Sequence, residues 1–460
     1  MNEKILVLGD IFLDIFYETK AYKISPERPV PVLKPKGTEF FLGGAANVAN
    51  NLKSIGGEPF LISKLSKDMN SKKIIFLLKK NKISHKILFN KEYSTSVKKR
   101  IVENNHQFLR LDDESLVRLK KNDEKKIIKF INKNIKKFKS LIISDYSKGF
   151  FTRALVEKII SIFKKNKKKI FTDPKNRNVN FYKNSNFICP NQNEFKQFLD
   201  NEKLNYDKKS ITRLIKKSNV EAFIITKGQD GVQIIYKSGK SFNINQKNIN
   251  VYDVTGAGDT FVSCLTYLYI NNIDLINAIK IAICACSKIV QKKHTSILQT
   301  EEFKNVINEF CEENKISFEL KIKLWKLVNF KIGVANGCFD VLHSGHLHLI
   351  NKAKEQCDKL VILLNSDKSV FKIKGFGRPK LKLNVRIKFL KMIKDIDRIE
   401  IFDELTPIKL IKKIMPNMIF KGSDYKKNKV VGYKELIKNR GKIIIINNLK
   451  DFSSTKLINK

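Results

Sequence analysis

Residues 336–346 read NGCFDVLHSGH, a segment that joins an apolar run to a helical pattern. The apolar run, residues 330–335, predicts a strand, and residues 347–353 predict a helix. A glycine-containing turn between a strand and a helix is a typical phosphate site, because unpaired N–H groups at a helix start attract anionic oxygens. Two histidines spaced HxGH, His343 and His346, can add hydrogen bonds or charge to a phosphate. The segment therefore predicts nucleotidyl transfer.

A metal site is the alternative for these histidines, because His343, His346 and His348 belong to a residue type that commonly binds metal ions. No acidic or cysteine cluster stands beside them in the sequence at a zinc spacing, which disfavours that alternative. The segment as a whole resembles the signature of the cytidylyltransferase-like nucleotidyltransferases. The resemblance implies that His343 and His346 stabilise the α-phosphate of a nucleotide as pyrophosphate leaves. It also implies nucleotide contacts for three residues of the same segment: Asn336, Gly337 and Phe339.

The first half of the chain carries a comparable turn, DVTGAGDTF at residues 253–261, before a long apolar helical pattern. Small residues let the backbone approach a phosphate closely, and a helix start offers unpaired N–H groups to the charge on a transferred phosphoryl group. Asp259 would stand at the same point and could take a proton from a sugar hydroxyl. A turn that simply caps a helix is the alternative for this motif alone.

This turn resembles the second signature of the ribokinase-like carbohydrate kinases, and GGAANVA at residues 43–49 resembles the first. The resemblance implies that Asp259 is the catalytic base and that three neighbours form an anion hole: Gly256, Ala257 and Gly258. It implies sugar contacts for three residues: Asp14, Gly44 and Asn47. A segment similar to the family's substrate flap adds two candidates for binding a phosphate on the sugar: Lys98 and Arg100.

Two polar turns after predicted strands complete the kinase-like pattern. The first resembles the family's Asn-x-x-Glu motif, which implies that Asn191 and Glu194 help to position the nucleotide phosphates. Glu194 would also act indirectly on Mg²⁺ or a similar divalent cation. The second turn resembles a nucleotide-contacting loop formed by Thr226, Lys227 and Gly228. The sequence contains no P-loop signature, GxxxxGK followed by Ser or Thr, so ATP must be held in another way.

The second half offers further cations and hydroxyls for a triphosphate and a sugar phosphate. They lie in a basic loop, after a predicted strand and before a last short helix, at Lys374, Arg378, Lys421, Ser453, Ser454 and Thr455. Solvated loops are the alternative for each of these segments.

Apolar runs alternate with helical patterns from end to end, which predicts α/β layers with largely parallel sheets. Both signature turns fall at the carboxyl ends of predicted strands, where open α/β sheets bind ligands. With the family resemblances, the expected architecture is an N-terminal ribokinase-like α/β sandwich with a small β flap and a C-terminal Rossmann-like nucleotidyltransferase domain. We place the kinase domain at residues 1–312, a charged connector at 313–329 and the nucleotidyltransferase domain at 330–460.

The order of these motifs resembles the bifunctional enzymes of ADP-heptose synthesis over nearly the whole chain. That resemblance implies a kinase that phosphorylates heptose 7-phosphate at C1 with ATP. It also implies an adenylyltransferase that joins AMP from ATP to heptose 1-phosphate, giving pyrophosphate and ADP-heptose for lipopolysaccharide core assembly. A homodimer is expected from the same resemblance.

The sugar is not defined by the family motifs, and the residue at position 294 departs from them. Motifs at phosphates do not define the sugar, so another sugar kinase fused to another nucleotidyltransferase is the alternative. His294 stands where the family usually has glycine, and we expect it to alter the loop beside the adenine.

The formal net charge is +45 over 460 residues, which could indicate nucleic-acid binding. The lysines, however, are spread along the chain and accompany isoleucine and asparagine, all of which are encoded by AT-rich codons. No RNA-binding signature or zinc finger is present in the sequence. We therefore expect no specific nucleic-acid partner, and a non-enzymatic polyanion-binding protein is the weaker alternative.

The same sequence predicts a cytoplasmic protein. It lacks an apolar run of the roughly 18 residues that a membrane span needs, so we expect no membrane insertion. The N-terminus lacks a signal-peptide pattern, and the seven cysteines have no paired spacing. Scattered cysteines of this kind are typical of a reducing compartment.

Overall fold

The computed structural model describes residues 4–103, 106–175, 178–247 and 250–447. The chain divides into two compact units, Met1–Phe310 and Cys311–Lys460. Residues 453–455, which the sequence assigns to the nucleotide, lie outside the described residues.

The strands are β1 Lys4–Gly9, β2 Ile11–Ile24, β3 Pro31–Gly44, β4 Pro59–Leu65, β5 Ser84–Phe89, β6 Val97–Glu103, β7 His106–Asp113, β8 Phe138–Ser144, β9 Lys169–Asp173, β10 Phe187–Ile188, β11 Ala222–Thr226, β12 Val232–Tyr236, β13 Ser241–Ile244, β14 Ile332–Gly337, β15 Lys359–Asn365, β16 Arg398–Phe402, β17 Met418–Gly422 and β18 Lys442–Ile446. The α-helices are α1 Ala45–Ser54, α2 Met69–Lys80, α3 Lys121–Asn134, α4 Arg153–Lys165, α5 Gln192–Asn201, α6 Lys208–Ser218, α7 Ala257–Ile270, α8 Leu275–Ile289, α9 Thr300–Glu313, α10 Phe318–Leu327, α11 Ser344–Lys354, α12 Asp367–Lys374, α13 Leu383–Lys391, α14 Ile408–Ile414 and α15 Tyr433–Lys438.

A nine-stranded sheet in the order β13-β12-β11-β10-β9-β8-β1-β4-β5 forms the centre of the first unit. The strands from β11 to β5 in that order pair in parallel, whereas β12 and β13 are antiparallel. Parallel strands that are covered on both faces are apolar along their length. Strands β1 and β8 follow this pattern, because their central residues are almost fully buried. Polar side chains such as Asp10 and Asp145 accordingly follow the carboxyl ends of these strands.

A four-stranded sheet forms the flap, in the order β3-β2-β6-β7. A single residue, Asp10, separates β1 of the central sheet from β2 of the flap. Asp10 is buried, and its carboxylate accepts hydrogen bonds from the backbone N–H groups of Tyr146, Lys148 and Phe150 at 3.1, 3.0 and 3.0 Å. These bonds fasten the origin of the flap to the loop that follows β8.

The second unit contains a five-stranded parallel sheet in the order β16-β15-β14-β17-β18. The chain passes outward from β14 to β15 and β16, and then returns to the other side of β14 with β17 and β18. This reversal makes the carboxyl end of β14 a topological switch point, where α/β sheets bind ligands. Buried side chains such as Ile362, Leu364 and Phe420 form the core beside it.

The predicted fold class is confirmed: a ribokinase-like α/β unit with a small flap precedes a Rossmann-like unit. The predicted connector, residues 313–329, contains helix α10, and Trp325 of that helix is buried. This helix falls within the second compact unit. The domain limits at residues 312 and 330 stay a prediction.

Candidate active sites

Two helices of the first unit begin after glycines with a left-handed backbone. Gly44 precedes α1 with φ of +62°, and Gly256 precedes α7 with φ of +82°. Residues with a Cβ rarely adopt such angles. A Cβ at Gly44 would also collide with the carbonyl oxygen of Asp10. The glycines thus permit both turns, and the first turns of the two helices meet through the side chains of Asn47 and Asp259.

The Asp259 carboxylate is the centre of this first site. It is buried, and its oxygens accept hydrogen bonds from Asn47 Nδ2 and Tyr146 Oη, each at 2.7 Å. Burial raises the pKa of Asp259 to about 6, and these two hydrogen bonds oppose the rise. A carboxylate with such a pKa is largely ionised at neutral pH and accepts a proton more readily than an ordinary aspartate does.

The predicted anion hole is the start of α7. A Cβ placed at Gly258 would meet no atom within 4 Å, so the space before this turn is open. The N–H of Ala257 already donates to the carbonyl oxygen of Val254 at 3.2 Å. The helix start therefore offers a phosphate an open approach beside Asp259, with one of its N–H groups engaged in the turn.

The predicted sugar residue Asp14 lies in β2 and is buried. It forms an ion pair with Arg100 of β6, and Thr295 Oγ1 donates to its second oxygen at 3.2 Å. Arg100 is itself buried, so its guanidinium contacts Asp14, and a contact with a sugar phosphate stays a prediction. Lys98 Nζ lies 4.3 Å from the centroid of the Phe12 ring, and burial lowers the pKa of Lys98.

Tyr146 is a site residue that sequence reasoning missed. Burial, and then the charge of Asp259, raise the pKa of Tyr146 well above its ordinary value, so the phenol stays a hydrogen-bond donor. Its signal in the sequence is a polar turn after a buried strand, the same signal that marks the other predicted sites. Asn47, predicted to contact the sugar, is likewise fully buried and directs its amide nitrogen to Asp259.

A pocket of about 230 Å³ opens beside the start of α7. Two predicted nucleotide residues, Thr226 and Gly228, line it, whereas Lys227 is not among the described residues that do so. Its apolar wall is formed by Val232, Val251, Val254, Phe261, Ile283 and Val290. A mainly apolar pocket next to the predicted phosphate site suits a planar base.

The Asn-x-x-Glu motif forms the start of α5. Asn191 Oδ1 accepts a hydrogen bond from the Glu194 N–H, and Glu194 Oε2 accepts one from the Asn191 N–H, both at 2.9 Å. Lys175 Nζ lies 3.0 Å from Glu194 Oε1, so both oxygens of this carboxylate have a protein partner. The described residues include no group of three or more His, Cys, Asp or Glu side chains arranged to hold a metal ion. The described His, Cys, Asp and Glu side chains alone therefore do not form a complete binding site for Mg²⁺.

His294 adopts φ of +63°, which is an angle that glycine tolerates best. Its ring centroid lies 4.3 Å from that of Phe16, and its Nε2 lies 2.9 Å from Glu18 Oε1, both residues of β2. The structure thus places this imidazole against the flap. His294 is not among the described residues that line the 230 Å³ pocket, where we expected its effect.

A pocket of about 490 Å³ lies at the carboxyl end of β14 in the second unit. The sequence-predicted residues that line it are Asn336, Gly337, Phe339, His343, His346, Lys374 and Lys421. Arg378 is not among the described lining residues, and its Nε lies 2.5 Å from Asp340 Oδ2. Asp340, which sequence reasoning missed, also accepts the N–H groups of Lys380 and Leu381 at 2.7 and 3.1 Å. It therefore holds the basic loop at the wall of the pocket.

The two imidazoles lie together at the start of α11, with ring centroids 4.0 Å apart. Burial, and then the charges of His343 and Lys374, lower the pKa of His346 to about 4. Burial also lowers the pKa of His343. Nδ1 of His346 is buried and has no hydrogen-bond partner among the described residues. Because their pKa values are lowered, both imidazoles are mainly neutral at neutral pH, and the Nδ1 atom of His346 can form a hydrogen bond with a bound phosphate.

Lys421 is the penultimate residue of β17, on the other side of the switch point. Its Nζ donates to the carbonyl oxygen of Asn336 at 2.8 Å and lies 4.5 Å from the centroid of the Tyr425 ring. Burial lowers the pKa of Lys421 to about 8, so the amine is mostly charged at neutral pH. It supplies a cation to the same pocket as the histidines.

Comparison with known families assigns each unit. Residues 2–302 match the pfkB family of carbohydrate kinases, and residues 334–460 match the cytidylyltransferase-like family. The bifunctional protein HldE of Coxiella burnetii is 31% identical over 99% of this chain and 97% of its own length. The bifunctional protein HldE of Aliarcobacter butzleri is 35% identical over 93% of this chain and 92% of its own length.

Solved structures resemble the first unit. Phosphofructokinase-2 from Escherichia coli in complex with potassium has a TM-score of 0.55 at 16% identity, covering 67% of this chain and 99% of that one. Ribokinase from Thermotoga maritima has a TM-score of 0.52 at 18% identity, covering 66% of this chain and 99% of that one. At such identities the likeness shows the fold alone. Within the described residues, every helix is too short or too polar to cross a membrane.

Proposed function

The chain belongs to the family of bifunctional HldE proteins, and we propose which residues of its two sites perform the two reactions of ADP-heptose synthesis. It is a sugar kinase and an adenylyltransferase in one polypeptide, and ATP is a substrate of both halves. The kinase phosphorylates heptose 7-phosphate at C1. The adenylyltransferase joins AMP to heptose 1-phosphate and releases pyrophosphate.

Asp259 acts as the base of the kinase reaction. The C1 hydroxyl gives its proton to the Asp259 carboxylate while its oxygen forms a bond to the γ-phosphorus of ATP, and the bond to the leaving ADP breaks. The N–H groups at the start of α7 stabilise the charge on the transferred phosphoryl group. The hydrogen bonds from Asn47 and Tyr146 support this role, because they orient the carboxylate that receives the proton.

The flap residues bind the sugar in this proposal. Asp14 and the Gly44 turn accept and orient sugar hydroxyls, and Arg100 holds Asp14 in place. Lys98 is the candidate for the 7-phosphate, because its amine lies in the site and contributes a favourable charge to Asp259. Lys98→Ala should raise the KM for heptose 7-phosphate more than the KM for unphosphorylated heptose. Lys99→Ala, a neighbour on the same strand, is the matched control. Equal effects of Lys98→Ala on both sugars would contradict the assignment.

The second site transfers AMP. A phosphate oxygen of heptose 1-phosphate attacks the α-phosphorus of ATP, and the bond to pyrophosphate breaks. His343 and His346 donate hydrogen bonds to the α-phosphate, and Lys421 and Lys374 neutralise charge on the triphosphate. Support comes from the pocket of about 490 Å³, which these four side chains line together. The contributions of Arg378 and of residues 453–455 stay predictions.

The observation that carries the proposal is the buried Asp259 carboxylate, held by two hydrogen bonds at the open start of a helix. The test incubates the purified protein with ATP, Mg²⁺ and heptose 7-phosphate, adds a phosphatase specific for the 7-phosphate, and detects ADP-heptose by mass spectrometry. ADP-heptose should form only when the phosphatase is present. Turnover of a different sugar phosphate in place of heptose 7-phosphate would favour the alternative of another kinase fused to another nucleotidyltransferase.

We further propose a cytoplasmic homodimer that uses Mg²⁺ with ATP, and we assign no chemical step to the cation. The flap supports a dimer, because β2 and β7 expose four apolar side chains: Tyr22, Ile24, Leu109 and Leu111. Light scattering of the purified chain should give the mass of two copies, and the mass of one copy would contradict it.

The proposed domain limits remain 1–312 and 330–460. The family matches at residues 2–302 and 334–460 fall within these limits and support them. Separate expression of the two segments tests the limits, and failure of either segment to fold would contradict them.

A further inference from the structure

The backbone of His294 points to a role for its side chain. Its φ of +63° lies in the left-handed region, where a residue with a Cβ is disfavoured. Such an angle persists where surrounding contacts hold it. The residue follows the end of α8 and precedes the buried Thr295.

The imidazole is held by the two longest strands of the flap. Its Nε2 lies 2.9 Å from Glu18 Oε1 of β2 and 3.8 Å from Glu39 Oε2 of β3. Its ring lies against Phe16, with the centroids 4.3 Å apart, and Phe41 is 6.0 Å away. Only 12% of the side chain is exposed. His294 therefore fastens the segment after α8 to the flap at two carboxylates and two rings.

The neighbours of this imidazole converge on Asp14. The adjacent residue, Thr295, donates its hydroxyl to Asp14 Oδ2 at 3.2 Å. On the other side, Phe16 lies 5.0 Å from the guanidinium carbon of Arg100, which forms the ion pair with Asp14. His294 is therefore linked to both groups that hold the Asp14 carboxylate, through the adjacent Thr295 and through the Phe16 ring to Arg100.

We propose that His294 is a positioning residue of the sugar site, which sets the orientation of Asp14 through Thr295 and through Phe16 and Arg100. The proposal rests on the kinase function proposed above, and it adds a residue that contacts neither ATP nor the reacting atoms. The pocket of about 230 Å³ on the nucleotide side is lined by other residues. Loss of the imidazole should therefore weaken sugar binding and leave ATP binding unchanged.

The decisive variant is His294→Gly, because glycine accepts the left-handed backbone and only the imidazole is lost. Glu18→Gln removes the charged partner of the imidazole. Lys293→Gln, an exposed neighbour, is the matched control. The full-length protein is used throughout, and the circular dichroism and thermal melting of each variant serve as the measure of intact folding.

Steady-state kinetics should show that His294→Gly and Glu18→Gln each raise the KM for heptose 7-phosphate by about tenfold, with the KM for ATP within twofold of wild type. The double variant should be no worse than the more impaired single variant, because both changes remove the same contact between Nε2 of His294 and Glu18. Lys293→Gln should match wild type.

Three results would overturn the inference: an unchanged sugar KM in His294→Gly, an equal rise in the KM for ATP, or additive effects in the double variant. If His294→Gly does not keep the circular dichroism of the wild-type protein, His294→Asn replaces it, since asparagine tolerates the same backbone region. An unchanged sugar KM in His294→Asn overturns the inference equally. Absence of wild-type turnover of heptose 7-phosphate would instead contradict the proposed function, so the two failures are distinguishable.

Discussion

The two sites of this chain use burial in opposite directions. In the first unit, burial raises the pKa of Asp259 to about 6, and hydrogen bonds from Asn47 and Tyr146 restrain the rise. In the second unit, burial lowers the pKa of His346 to about 4, and its Nδ1 has no hydrogen-bond partner among the described residues. Each oxygen of the Asp259 carboxylate accepts a hydrogen bond from the protein, whereas Nδ1 of His346 is available for a hydrogen bond with a ligand.

The difference follows from what each reaction requires. A base must be charged before the reaction and neutral after it, so its environment has to tolerate both forms. An imidazole that binds a phosphate forms its hydrogen bonds with the phosphate, and the negative charge of the phosphate raises the pKa of the imidazole. Burial therefore makes Asp259 a better proton acceptor in the first site, and in the second site it keeps His343 and His346 neutral until a phosphate binds. The predictions below test whether the two sites are independent in this sense.

The largest effect is expected from Asp259→Asn. The amide cannot accept the C1 proton, so the kcat of the kinase should fall by about 10³-fold. ADP-heptose formation from heptose 1-phosphate should remain within twofold of wild type, because the second site is separate. Both rates are measured on the same preparation. Loss of both activities in a protein that keeps its circular dichroism would refute independent sites.

The reciprocal variant is His346→Ala. Loss of one donor to the α-phosphate should lower the kcat of adenylyl transfer by about 10²-fold and leave kinase turnover intact. Pyrophosphate release and ADP formation, followed in parallel, report the two reactions. His348→Ala lies outside the HxGH motif and is the control that should retain both rates.

A smaller effect is expected from Tyr146→Phe. The phenol donates to Asp259 and thereby lowers the pKa of that carboxylate, so its removal should raise that pKa further. We expect a loss of about tenfold in kinase kcat/KM at neutral pH. The acid limb of the pH profile should move upward. A profile that moves downward, or a loss with no shift of the profile, would contradict the assigned contact.

A smaller effect is expected in the pH dependence of the wild-type kinase reaction. Because the pKa of Asp259 is about 6, the base form is lost as pH falls through that value, and kinase kcat/KM should halve there. An ordinary aspartate would keep its charge to about pH 4. A kinase rate that stays constant from pH 7 to about pH 5 would show that the pKa of Asp259 is not raised in the free enzyme.

The smallest effect concerns proton uptake in the second site. Neutral His343 and His346 should take up a fraction of a proton when a triphosphate binds, because the anion raises their lowered pKa values. Calorimetry with a non-reactive ATP analogue in two buffers of different ionisation enthalpy measures this uptake. The proton uptake should decrease in His346→Ala. An unchanged uptake would show that His346 is not the group that takes up the proton.

The sequence predicted those parts of the sites that depend on local pattern. The predicted strand and helix around NGCFDVLHSGH are present, although β14 ends two residues later and α11 begins three residues earlier than predicted, and α7 begins within the GAGD turn. Apolar runs, glycines and helix periodicity are properties of a few neighbouring residues, so a single sequence reveals them. The family resemblance then supplied their chemical meaning.

The parts that depend on distant contacts could not be predicted in this way. Tyr146 reaches Asp259 over 113 positions in sequence, and this pairing depends on the order of strands in the nine-stranded sheet. The interpretation of Glu194 was also incomplete, because its capping role depends on backbone geometry at the start of α5. The flap strands β2 and β3 alternate polar and apolar residues irregularly, and only the resemblance indicated them.

The single residue between β1 and β2 has a consequence for how this enzyme could change over evolution. Asp14, Lys98 and Arg100 lie on flap strands, whereas Thr226 ends strand β11 of the central sheet and Gly228 follows it. Substitutions confined to the flap strands can therefore adapt the enzyme to a new sugar while the ATP-binding surface is inherited unchanged. Replacement of the four flap strands by those of a relative, with Asp10 and its hydrogen bonds kept, is accordingly the most economical route to a kinase of altered substrate preference.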